Sequence, residues 1–191
     1  IAEEAAKPGN ESKPYFLIID EMNRANLAKV FGELYFLLEY RDDRIYLQYS
    51  PNEPFTLPDN LYIIGTMNTA DRSIAMMDAA IRRRFSFIEL HPKTEPVKGS
   101  LLRFLQARNL DTTPALLMDA LNDAIDEWDR DLMIGPSYFM KKSAQTPKGL
   151  RRIWKYELMP LLEEHYHGQL NRAQLEERFG LDPLLDRLAR A

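Results

Sequence analysis

The run Tyr15-Phe16-Leu17-Ile18-Ile19 is apolar or aromatic at every position and ends in two adjacent carboxylates, Asp20-Glu21. Because it does not alternate, it suits a parallel strand buried on both faces, which in turn requires an α/β architecture. Two acids at the tip of such a strand have a use if they hold a metal or move a proton. The plainer alternative is a strand that exits to solvent. A second apolar run, Leu61-Tyr62-Ile63-Ile64-Gly65-Thr66-Met67, ends in Asn68-Thr69-Ala70-Asp71-Arg72-Ser73. A short helical pattern and then Arg82-Arg83-Arg84-Phe85 follow.

This ordered set resembles the AAA+ nucleotide hydrolases: an acidic strand, a polar-tipped strand and an arginine cluster. Within that superfamily, Asp20-Glu21-Met22-Asn23-Arg24-Ala25-Asn26 and Met67-Asn68-Thr69-Ala70-Asp71-Arg72-Ser73 resemble the McrB-like GTPases. These are the motor subunits of McrBC-type, methylation-dependent restriction systems. The resemblance runs from about Tyr15 to Pro92. It continues more weakly through Ile134-Gly135-Pro136-Ser137-Tyr138-Phe139 and through residues 156–164. The 67–73 block is the specific part; many relatives share the acidic strand and the arginines.

The resemblance assigns roles. Asp20-Glu21 is implied to be the Walker B element, with Asp20 holding the water shell of Mg²⁺ and Glu21 polarising the attacking water. Asn68 is implied to be the first sensor, orienting that water near the terminal phosphate; its plain reading is a turn Asn. Either Asp71 or Arg72 is expected to bridge toward the catalytic water or a neighbouring subunit, against a solvated pair. Arg83 and Arg84 align best with the arginine finger given to the next subunit of a ring, and Arg82 is the expected bystander. The alternative for all three is a solvated helix end. Ser137 and Tyr138 lie in the lid loop expected near the nucleotide. Asn23 and Arg24 either position the acids, face a central pore or enter the next helix.

The implied activity is hydrolysis of GTP with Mg²⁺, driving DNA translocation for a partner nuclease. ATP stands as the alternative, since nothing in these residues reads guanine. The implied partners are a homo-oligomeric ring, an McrC-like nuclease subunit, and DNA reached through other regions of the protein, in a cytoplasmic setting. Two other readings stay open. One is a MoxR-like or dynein-like ATPase that remodels proteins. The other is a non-hydrolysing AAA+ scaffold.

A phosphate-cradling loop reads G-x-x-x-x-G-K-[ST]. None of the eight glycines is followed by Lys and then Ser or Thr. The chain opens on Ile1-Ala2-Glu3 without an initiator Met. It is therefore expected to be the C-terminal portion of a longer protein, cut off after that loop, or else a family member that lacks it. In the resembling fold the phosphate-loop strand separates 61–67 from 85–90. The chain alone is thus expected to be inert. Because a gap between those strands would leave backbone groups unpaired, its sheet is expected to be completed by the missing N-terminal half, by another chain or by rearrangement.

Composition narrows the class further. Hydrophobic residues make up 45%, charged residues 28%, and the net charge is −4. Bulk electrostatics therefore do not point to nucleic acid or a membrane surface, and a DNA contact would need a local basic patch. The absence of cysteine excludes disulfides and cysteine-based zinc sites. No apolar run approaches the ~18 residues of a membrane helix.

The expected architecture is a partial AAA+ P-loop core, a parallel sheet with flanking helices and a small hairpin insertion, followed by an all-helical lid. Residues 1–14 read as a loop, 15–92 as the α/β core, 93–168 as the lid and 169–191 as a helical tail. A helix is expected over about 26–40, marked by Leu27, Val30, Phe31, Leu34, Leu37 and Leu38. A hairpin is expected from 45–49 and 55–57, turning at 51–53, and a third strand over 85–90. Ser73 is expected to cap a helix carrying Met76, Met77 and Ile81. Helices are further expected around Leu101–Leu105, from Thr113 to about Arg130, from Thr146-Pro147 past Pro160, and from Asp182-Pro183. Trp128 and Trp154 read as packing residues. His165 and His167 read as a solvated helix end rather than a metal site.

Overall fold

Parallel pairing of the two apolar runs organises the first part of the chain. A computed structural model describes residues 1–24, 29, 31–48, 50–68 and 82–190. It divides the chain into two compact units, Ile1–Ile88 and Glu89–Ala191. In the first unit, α1 (Ala2–Ala5) precedes β1 (Tyr15–Ile19). Then come α2 (Leu34–Leu37), β2 (Ile45–Leu47), β3 (Ser50–Phe55) and β4 (Leu61–Gly65). β1 and β4 pair in parallel, with Tyr15 opposite Leu61 and Ile19 opposite Gly65.

The parallel pairing fits the sequence; burial on both faces does not. Tyr15, Leu17 and Ile63 pack with the buried Leu37, Leu57 and Leu61. The other face shows Phe16 at 52%, Ile18 at 67%, Tyr62 at 51% and Ile64 at 46% exposure, with Phe16 stacked on Tyr62. No described element covers that face, so the strands alternate in exposure although their composition does not.

Three local expectations need correction. The 85–90 run forms no strand. Phe87, Ile88 and Leu90 are exposed, and no described strand lies beside them to complete the pairing that a strand requires. The hairpin exists, but Pro51-Asn52-Glu53 lie inside β3 rather than in the turn. Ile45 faces Phe55 and Leu47 faces Ser50, with a register irregularity after Tyr46. Residues 1–14 are more ordered than a loop. Ala5 is buried, and the Asn60 side-chain amide donates to the carbonyls of Ala5, Asn10 and Lys13. Of the helix expected over 26–40, α2 is described, whereas 25–28 and 30 lie outside the described residues, as does the helix expected after Ser73.

The second unit is helical around one core. It contains α3 (Ser100–Ala107), α4 (Thr113–Ala124), α5 (Pro147–Ile153), α6 (Met159–His165), α7 (Arg172–Phe179) and α8 (Leu181–Arg190). Leu105, Leu117, Leu121, Phe139, Leu158, Phe179 and Leu184 are among its fully buried side chains. Thr146 caps α5 as expected, accepting from the Gly149 N–H at 3.1 Å. A π-helical turn, Trp154–Leu158, joins α5 to α6. It lies directly before Pro160, whose ring nitrogen has no proton to give the preceding turn.

α4 stops short of Arg130. Ile125 is extended, with ψ 133°, and turns inward to 4% exposure, so the helix cannot continue through it. A 3-10 turn over Glu127–Leu132 follows, and it leaves Trp128 96% exposed. The packing role expected of Trp128 is thereby overturned. Trp154 does pack: it is 2% exposed and its indole N–H donates to the Phe179 carbonyl at 2.8 Å.

Candidate functional site at the strand tips

β1 and β4 end side by side, so their C-terminal tips form one cluster. The backbone continues the ladder past both strands: Thr66 N–H donates to the Ile19 carbonyl and Met22 N–H to the Thr66 carbonyl, each at 2.9 Å. The Thr66 hydroxyl donates to Asp20 Oδ1 in a short contact. It also accepts from the Glu21 N–H at 3.1 Å, and that same N–H lies 3.2 Å from Asp20 Oδ1. Thr66, unmarked by any sequence signal, is therefore the hub that fixes the acidic tip.

Glu21 has a left-handed backbone, φ 49°. A non-glycine residue there carries a conformational cost, which residues at functional sites more often bear. A short 3-10 turn, Met22–Arg24, begins directly after it. Through that turn Arg24 Nε reaches the Glu21 carboxylate at 2.6 Å. Asn23 donates to the Asn68 carbonyl at 3.1 Å, tying the turn to the second strand tip. The Asn23 Oδ1 is buried without a hydrogen-bond partner among the described residues. Met22 packs into the space over Gly65, where an added Cβ would fall 1.8 Å from its sulfur. Glycine at 65 is what lets the turn close against the second strand.

The structure thus brings Asp20, Glu21 and Asn68 together, adding Thr66, Asn23 and Arg24. Asp20 offers a carboxylate beside a hydroxyl, an all-oxygen set that suits the water shell of Mg²⁺. Outer positions at the carboxyl ends of parallel strands are where open α/β sheets take ligands.

The arginines separate. Arg84 is tucked into its own unit, paired with Glu39 and lying 4.2 Å from the centre of the Tyr35 ring. Its guanidinium is committed in cis. Arg82 lies over Phe87 at 5.8 Å. Arg83 is exposed and has no ion pair among the described residues. Asp71 and Arg72 lie outside the described residues. Ser137 and Tyr138 belong to the second unit, in a 3-10 turn. That turn hangs from a buried anchor: Asn122 is 1% exposed, accepts from the Ile134 N–H at 2.7 Å and donates to the Ile134 carbonyl at 3.0 Å. His165 sits against Asp129 at 3.6 Å.

A parallel acidic strand tip bonded to a second, polar strand tip, followed by a helical unit, fits an AAA+ core with its lid. Family models agree. Residues 2–85 match the AAA domain of the dynein-related subfamily, and residues 113–174 match the alpha-helical lid domain of McrB. The chain belongs to the McrB-like AAA+ proteins. It is 40% identical over 171 residues to the type IV methyl-directed restriction enzyme EcoKMcrB subunit of Escherichia coli (strain K12), across 81% of this chain and 37% of that protein. It is 30% identical over 177 residues to the type II restriction enzyme BsuMI component YdiS of Bacillus subtilis (strain 168), across 81% of this chain and 50% of that one. The chain therefore spans half the length or less of these relatives.

Proposed function

We propose that this chain supplies the catalytic acids and the lid of a ring-forming nucleoside-triphosphate hydrolase, which works with a restriction nuclease. The observation carrying this reading is the hydrogen-bonded cluster of Asp20, Glu21 and Thr66 at the tips of parallel strands, with Asn23 tying the following turn to the Asn68 carbonyl. Phosphoryl transfer to water asks the protein mainly for positioning and charge neutralisation. Asp20, oriented by Thr66, would hold the water shell of Mg²⁺, which would supply charge neutralisation at the phosphate oxygens. Glu21 accepts hydrogen bonds from the attacking water and aligns it. Asn68, at the tip of the neighbouring strand, is proposed to orient the same water. Arg24 holds the Glu21 carboxylate away until substrate displaces it, a positioning role.

GTP is the proposed substrate and DNA translocation the proposed work, both carried over from the McrB-like relatives in a cytoplasmic setting. Asp71 or Arg72, Ser137 and Tyr138 are proposed to complete the nucleotide site. Arg83 is proposed as the finger across the subunit boundary, because Arg84 is engaged within its own unit. The phosphate-cradling loop is proposed to come from another segment or chain, which would also cover the exposed face of Phe16, Ile18, Tyr62 and Ile64. The match to a dynein-related AAA model favours one second reading, an ATPase that remodels proteins. Competition between GTP and ATP in the intact protein, with DNA and a nuclease partner present, separates the two. GTP-specific, Mg²⁺-dependent turnover supports the first reading, and ATP turnover indifferent to DNA supports the second.

A further inference from the structure

The second unit carries a basic face that the proposed hydrolysis does not use. Between residues 141 and 155 the chain has Lys141, Lys142, Lys148, Arg151, Arg152 and Lys155 and no Asp or Glu, within a protein of net charge −4. Lys148, Arg151, Arg152 and Lys155 follow i, i+3, i+4 and i+7 spacing, so they form one stripe along α5 and the π turn. All four are exposed, whereas Leu150, Ile153, Trp154 and Leu158 on the other side are buried.

Lys141 and Lys142 join this face through a close approach. An added Cβ at Gly149 would fall 2.0 Å from the Ser143 carbonyl oxygen, so the turn Lys142–Gln145 lies directly on the first turn of α5. Lys141 pairs with Glu157, and Arg151 pairs with Asp182 at 2.8 Å. Lys142, Lys148, Arg152 and Lys155 have no acidic partner among the described residues. Tyr156, four residues beyond Arg152, is 65% exposed with Lys155 5.3 Å above its ring.

We propose that this stripe binds the phosphodiester backbone of a DNA duplex, without reading its sequence. Seven residues of helix rise about 10 Å, a length over which a duplex presents roughly six phosphate charges. Lys148, Arg152 and Lys155, the stripe cations without an acidic partner among the described residues, together with Lys142 from the adjoining turn, offset most of that charge. Contacts to phosphate position a protein on a duplex and carry no base information. The proposal does not depend on which nucleotide the protein hydrolyses.

The test is fluorescence anisotropy of a fluorescein-labelled duplex of arbitrary sequence, titrated with the full chain. Four phosphate contacts predict a roughly hundredfold loss of affinity between about 50 and about 200 mM salt. Lys148→Glu, Arg152→Glu and Lys155→Glu together are expected to weaken binding at low salt by at least about tenfold, with an unchanged melting temperature. Lys98→Glu, elsewhere on the same unit, is expected to change affinity less than about threefold. Binding that ignores salt, or that survives the triple substitution, overturns the proposal. Displacement of the duplex by polyglutamate at matched charge also overturns it, because the face would then be a dock for an acidic protein. Displacement by millimolar GTP with Mg²⁺ also overturns it, because the stripe would then belong to the nucleotide site.

Discussion

Thr66 and Asp20, on neighbouring parallel strands, share a hydrogen bond in which the Thr66 hydroxyl is the donor. The same oxygen accepts from the Glu21 N–H, so one hydroxyl orders both acids. Thr66→Val keeps the shape of the side chain and removes both bonds. Equilibrium unfolding is expected to show a loss of at most about 1 kcal/mol, because the site is exposed to water. Hydrolysis by the intact protein is expected to fall by more than that loss explains, because a loosened Asp20 would be less able to hold the water shell of the proposed Mg²⁺. Unchanged turnover would remove Thr66 from the site.

Arg84 and Arg83 make opposite predictions. Arg84 is 10% exposed at its side chain, pairs with Glu39 and stacks on Tyr35. Arg84→Ala is expected to destabilise the first unit by about 1–2 kcal/mol in urea titrations, mostly through the lost packing and cation–π contact with Tyr35, since Glu39 is itself exposed. Arg83→Ala is expected to change stability by less than about 0.5 kcal/mol. It should nevertheless abolish turnover, and mixing Arg83→Ala with Glu21→Gln subunits should restore part of it. Mixed rings that assemble and stay inactive would exclude a finger at Arg83.

Asn122 anchors the lid loop by two bonds to Ile134 from a buried position. Asn122→Ala leaves that N–H and carbonyl without partners, a cost of about 2–3 kcal/mol. Amide hydrogen exchange at 134–138 is expected to quicken with it. Exchange that stays slow would show that the loop is held by something else.

Asp182 hydrogen-bonds Arg151, which holds its carboxyl below the ordinary aspartate value. A depressed folded value means that the unfolded chain binds the proton more readily. The pair's stabilisation is therefore complete above the unfolded value near 3.8 and is lost as pH falls through the lower folded one. Asp182→Asn should flatten that acid limb in melting curves recorded from neutral pH downward, and leave the neutral-side slope alone. The pair is exposed, so the change is small. An acid limb identical to the parent protein's would show that the pair does not survive in solution.

Much of the site was legible because its residue types are odd for their places. Two carboxylates ending an apolar run, and an Asn ending another, break the strand pattern and so announce chemistry. Thr66 stayed silent because threonine is an ordinary strand residue. Only the pairing of Ile19 with Gly65 reveals what its hydroxyl faces. Arg83 and Arg84 look alike in sequence, and the difference lies in Tyr35 and Glu39, distant along the chain. Asn122 reads as one polar residue in a helix until Ile134 folds against it. The 85–90 run has the composition of a strand, but a strand also needs an edge to pair with, and composition does not supply one. Trp128 misleads for a related reason: the helix that would have buried it ends at Ala124.

Hydrolysis by the intact protein carrying Glu21→Gln tests the central claim most directly. Glutamine keeps the shape of the side chain and loses the charge proposed to face the water. The account predicts nucleotide binding near the unsubstituted level and turnover reduced by at least about a hundredfold, the scale of a lost general base. Turnover that matches the unsubstituted protein would contradict it and leave the acidic strand tip without a catalytic role.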